Sequence, residues 1–82
     1  MDTRVAVIVL ILEDNSSSDK INELLHEYSK YIVARMGVPY KEKTMNIISV
    51  VIDAPQEVTG ALSGKLGMIK NVTAKTVYSK NK

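Results

Sequence analysis

Two stretches of this chain, Arg4–Leu12 (RVAVIVLIL) and Met45–Ile52 (MNIISVVI), are apolar almost throughout and do not alternate with polar residues. The uninterrupted part of the first, Val5–Leu12, is far shorter than the roughly 20 residues a bilayer span needs. It is rich in β-branched residues, too short for a lone buried helix, and followed by the turn and cap formers Glu13 to Ser18. Both runs therefore read as strands with apolar surroundings on both faces, which places them at the centre of a sheet. Whatever fold the chain adopts must cover both sides of both strands.

The segments between the runs supply one kind of cover. A Ser16-x-x-Asp19 spacing resembles a capping box, and Ile21, Leu24, Leu25 and Tyr28 follow at helical intervals, with Lys20, Glu23, Glu27 and Lys30 on the opposite side. After Ser29 the period changes to two: Ile32, Ala34 and Met36 alternate with Tyr31, Val33 and Arg35. Gly37 and Pro39 are expected to disturb this ladder, and Pro39, which has no N–H to donate, places the strand at an edge or ends it there. Lys41 to Thr44 lacks the Asn-Gly or Asp-Gly of tight hairpins and predicts a longer turn. Asp53 is the expected N-cap of a second helix, with Pro55 in its first turn, an apolar stripe of Val58, Ala61, Leu62 and Leu66, and Gly67 as a left-handed stop. Gly60 and Gly64 lie inside that helix, where each costs about 1 kcal/mol against Ala. Close packing of helix on sheet, or a ligand approaching the backbone, would each account for them. Val72–Tyr78 alternates as a fourth strand, and Ser79–Lys82 is a polar tail.

Strand, helix, strand, strand, helix, strand is the split βαβ pattern. Residues 1–82 are thus expected to form one α+β domain, a ferredoxin-like βαββαβ sandwich with two helices on one face of an antiparallel sheet. The other face would then be open, yet neither central strand carries the alternation that a wetted face requires. Self-association answers this most simply, so a homodimer or a higher even oligomer is expected.

Composition narrows the function classes. The 82 residues are 45% hydrophobic and 24% charged, ordinary for a globular domain. The absence of cysteine removes disulfides, thiolate chemistry and Cys-ligated metals. A net charge of +2 from 11 basic and 9 acidic residues scattered along the chain gives no footprint for nucleic acid. With no Phe or Trp and only Tyr28, Tyr31, Tyr40 and Tyr78, a base-stacking platform is lacking too. Neither a membrane span nor a secretory leader is read, which implies a cytoplasmic protein.

Motifs for catalysis are not found. There is no G-x-S-x-G, P-loop or dinucleotide fingerprint, and the Gly60 to Gly67 stretch (GALSGKLG) falls inside a predicted helix, so it reads as packing and capping. His26, the single histidine, is a solvated helix residue on this reading; an inter-subunit metal site is the alternative, but the usual ligand spacings are absent. No metal, no cofactor and no enzymatic activity are expected. The most unusual segment is Arg35-Met36-Gly37-Val38-Pro39-Tyr40, which joins a cation, a thioether, a flexible and a rigid backbone point and an aromatic hydroxyl. It reads either as a β-bulge and strand exit or as part of a ligand pocket or subunit contact.

Around this segment the chain resembles a known family. Glu27-Tyr28, Ile32-Val33-x-Arg35-Met36-Gly37-Val38-Pro39-Tyr40, Ile48–Asp53 and Leu62-Ser63-Gly64-Lys65-Leu66-Gly67 followed by Val72 are similar to the small regulators encoded with iron-only hydrogenase systems. The Gly-Lys-Leu-Gly block is also similar to ACT-like domains, including the regulatory domain of the nickel-responsive repressor. The resemblance implies an ACT-like regulatory domain without its own DNA-binding part. The metal-binding histidines and cysteine of the nickel repressor have no counterpart here beyond His26. ACT-like domains commonly bind small effectors at subunit interfaces. On that basis Arg35, Met36, Gly37, Val38, Pro39, Tyr40, Gly64 and Gly67 are the candidate ligand-binding residues, with a small effector and a protein partner expected. A protein-binding adaptor is the alternative function.

Overall fold

The computed structural model describes residues 2–80 and contains β1 (Arg4–Leu12), α1 (Ser18–Glu27), β2 (Ile32–Tyr40), β3 (Met45–Ala54), α2 (Gln56–Gly67) and β4 (Val72–Tyr78). Single 3-10 turns at Ser29–Tyr31 and Lys41–Lys43 lead into β2 and β3. The order is βαββαβ and the antiparallel sheet runs β2-β3-β1-β4, so the two unbroken apolar runs are the central strands. The α+β, ferredoxin-like arrangement expected from the sequence is the one observed. The last residues of the expected polar tail, Asn81 and Lys82, lie outside the described part. No helix among the described residues is long and apolar enough to cross a membrane.

The period-two geometry of β1 explains its composition. Ala6, Ile8, Leu10 and Leu12 are buried and meet Ile52, Val50 and other inward residues of β3, together with Ile21 and Leu25 of α1 and Leu62 and Leu66 of α2. Val5, Val7, Val9 and Ile11 point to the opposite face, where no helix lies. A strand that must be apolar on both sides cannot alternate.

Several local expectations are corrected. Ser16 and Asp19 form no capping box: α1 starts at Ser18 without a side-chain cap. The Ser16 backbone N–H and hydroxyl both donate to Asp14 Oδ1, while Asn71 Nδ2 donates to Asp14 Oδ2 at 3.0 Å. These bonds, those from Ser16 first, hold the Asp14 carboxyl below its ordinary value. Ser17, buried, instead donates its hydroxyl to the Lys70 carbonyl at 2.9 Å, tying the start of α1 to the turn before β4. The loop thus satisfies itself and a neighbouring turn rather than its own helix.

Asp53 does not cap α2 either. It belongs to β3, opposite Val5, and Pro55 precedes the helix, its carbonyl accepting from the N–H groups of Val58 and Thr59. Gly67 has no positive φ; the left-handed residue before β4 is Asn71, at φ 65°. The expected bulge at Gly37-Val38-Pro39 lies instead at Val33, between the pairs Ile32–Ile52 and Ala34–Val51, and the ladder continues unbroken to Tyr40–Met45. Pro39 is accommodated because β2 is an edge strand.

The buried stripe of α2 is Thr59, Leu62 and Leu66, with Ala61 exposed and Val58 half-buried. Leu62 and Leu66 set the inward face, and a helical turn carries Thr59, not Ala61, onto it. The Thr59 hydroxyl is fully buried and has no hydrogen-bond partner among the described residues. Thr59→Val, of the same shape, is expected to raise the unfolding free energy by roughly 1–2 kcal/mol, because it removes a desolvated, unsatisfied group. Urea titration at fixed protein concentration checks this; a destabilised variant would show that the hydroxyl is satisfied after all.

Candidate functional site

The helices cover the sheet unevenly. On the β4 side, Thr76 Oγ1 donates to Ser63 Oγ of α2 at 2.9 Å, and Lys65 Nζ donates to Tyr28 Oη at 2.9 Å, joining the two helices. At the other edge, β2 is exposed at every position from Val33 to Tyr40. The inward residues of β2 therefore form one wall of an open cleft, and α1 forms the other.

Arg35 stands opposite buried Val50 and so points to the helix side of the sheet. Its Nη2 donates to Asn22 Oδ1 at 2.8 Å across the cleft. On one side of this bridge is a hollow of about 410 Å³ bounded by Asn22, Leu25, His26, Ser29, Ile32 and Arg35. On the other side a hollow of about 330 Å³ runs between Asn15, Ser18, Gly37, Pro39 and Asn46, floored by Leu12 and Ile48. Asn46 Nδ2 donates to Asn15 Oδ1 at that end, and a smaller hollow of about 160 Å³ continues past Pro39 and Tyr40.

The electrostatics of the cleft are one-sided. Arg35 forms no ion pair among the described residues, and its bond to Asn22 leaves most of its N–H donors unused. Around it are amides, hydroxyls and one imidazole, with an apolar floor. A planar guanidinium with free donors in such a setting matches a carboxylate or phosphate oxygen pair. Among the described residues no three His, Asp or Glu side chains gather as a metal site. His26 is exposed on α1 and borders the hollow that Arg35 closes.

The candidate residues chosen from the sequence are divided by the fold. Arg35, Gly37 and Pro39 face the cleft. Met36, Val38 and Tyr40 stand opposite Ser49, Ile47 and Met45 on the open side of the sheet, although Val38 and Tyr40 also border the neighbouring hollows. Gly64 and Gly67 lie on α2, and a Cβ added at Gly67 would come within 3.9 Å of the Ala74 side chain on β4, the strand at the far edge from β2. The two glycines are therefore not brought together with Arg35 within one chain. The cleft residues Asn15, Asn22, Ser29 and Asn46 escaped sequence reasoning, which read His26 only as a solvated residue or a metal ligand. The available signal was the polar stripe Asn22, His26 and Ser29 at intervals of four and three, beside the apolar stripe of the same helix.

Comparison with known proteins agrees with this architecture. The TM1266-like family model, described as "Iron-only hydrogenase system regulator, putative", matches residues 4–76. The solved structure of uncharacterized protein TM1266 from Thermotoga maritima superposes with a TM-score of 0.91 at 40% identity, covering 96% of this chain and 100% of that one. No curated protein matches. The match runs from the first central strand nearly to the end of the last strand, so it takes in both helices, the cleft and most of the sheet, and the chain belongs to the TM1266-like family of iron-only hydrogenase system regulators.

Proposed function

We propose that this chain is a ligand-sensing regulatory module of an iron-only hydrogenase system, without catalytic activity of its own, that acts in the cytoplasm through a protein partner rather than by reading DNA. Its effector is a small molecule carrying a carboxylate or phosphate, taken up in the cleft between α1 and β2. The observation that carries this reading is Arg35, a cation held by one neutral amide bond in an amide-lined cleft, with no carboxylate to neutralise it among the described residues. Pairing with an anionic ligand would use donors that the fold leaves idle. Asn22 positions the guanidinium, while Gly37 and Pro39 keep the β2 wall low and rigid.

A thermal-shift screen against amino acids, nucleotides and divalent metals tests this. An anionic ligand at 100 times its Kd stabilises by about 2.7 kcal/mol. Arg35→Ala should abolish that shift while leaving the unliganded melting temperature close to wild type, since the side chain is exposed. A flat response across the panel would remove the sensing reading. It would favour an adaptor that recruits a partner along the exposed edge of β2 by strand addition.

A further inference from the structure

The face of the sheet opposite the helices has no cover within the chain. Its rows are given by the strand pairing: Ala34, Val51, Val7 and Val77 stand side by side, then Met36, Ser49, Val9 and Lys75, then Val38, Ile47, Ile11 and Thr73. Met36 is 62% exposed and Val77 66%, and the patch continues through Tyr40 at one end. Water-facing antiparallel sheets alternate apolar and polar residues, and these central strands do not.

We propose that a second copy of this chain covers that face, the two sheets stacking about 10 Å apart as in a β-sandwich. Charge and area both favour this occupant. At the axis of a two-fold contact each group meets its own copy, so an uncharged centre removes like-charge repulsion there. The charges on this side are Lys75, on outer strand β4, and Asp53, at the end of β3; the field of β2, β3 and β1 between them is neutral. Four strands at ~4.8 Å spacing and about seven residues long span roughly 19 by 24 Å, on the order of 450 Å² of plan area. Two such faces, with the relief of their side chains, reach the roughly 1,000–1,200 Å² at which specific interfaces begin. The inference stands apart from the ligand reading, because it concerns the other side of the sheet and its test measures mass.

Sedimentation equilibrium of the full chain at micromolar concentration should give twice the 9.1 kDa chain mass, or a larger even multiple. Met36→Glu and Val77→Glu place a charge at exposed positions of the face, where the monomer fold tolerates it. Each should weaken association at least tenfold with unchanged circular dichroism, while Lys20→Glu on the helix side leaves the mass as in wild type. A tetramer cut to dimers by Met36→Glu also supports the face-to-face contact. A monomeric wild type, which would leave the face to a partner of different sequence, overturns the proposal, as does a dimer indifferent to both glutamates.

Discussion

Replacing Leu10 by alanine should lower the unfolding free energy by about 3–5 kcal/mol, the largest loss expected from a single truncation in this chain. Leu10 has no exposed surface and lies on a central strand, between Ile48 of β3 and Ala74 of β4. The neighbour on the β4 side is itself an alanine, too small to collapse into the space. The loss then combines the transfer free energy of the missing atoms with a cavity that its surroundings fill only in part. Against a total of about 5–15 kcal/mol for a domain, this takes away a large fraction of the stability. The urea midpoint should fall while the slope of the transition stays constant. A loss below about 1 kcal/mol would mean that the layer between sheet and helices is not tightly packed at β1.

The second large effect has the opposite sign. The double variant Gly60→Ala, Gly64→Ala should gain roughly 2 kcal/mol, since each glycine in a helix interior gives up about 1 kcal/mol relative to alanine. A Cβ built on either residue meets nothing within 4 Å, so no steric cost offsets the gain. The same fact removes close helix–sheet packing as the reason these glycines are there. Equilibrium unfolding measures the gain; a loss of stability would show that something presses on this side of α2. Ligand binding in the α1/β2 cleft should be unaffected by the pair, which separates α2 from the site around Arg35.

The contrast between these two helix faces shows where sequence patterns stop. Leu62 and Leu66 marked the inward side of α2 because large apolar residues at helical spacing have one way to be buried. Thr59 and Ala61 could not be ranked the same way: both are small, and their positions about the axis were decided by how the helix settles on the sheet. The capping box failed for a related reason. Ser16 bonds locally but to Asp14, not to the helix, while Ser17 and the second Asp14 oxygen bond to the turn of Lys70 and Asn71, which comes to the same place in space. Polar side chains bond to whatever arrives within reach, and arrival is a matter of tertiary structure.

The candidate site was partly legible. Arg35 stood out as a cation inside a strand, and strand parity alone separates Arg35, Gly37 and Pro39 from Met36, Val38 and Tyr40. What parity could not show was that α1 leaves β2 uncovered and sets Asn22 across from Arg35, making a cleft rather than a packed layer. Nor could it show that Gly64 and Gly67 sit towards the other edge of the sheet. By itself the sequence determined the number and order of elements, the central position of the two unbroken apolar runs and the apolar character of both sheet faces. These follow from short-range periodicity and from the transfer free energy of apolar side chains. Tertiary structure alone decided the caps, the bulge at Val33, the inward rotation of Thr59 and the assembly of the cleft. Each of these depends on which distant residues compete for the same space and the same hydrogen bonds.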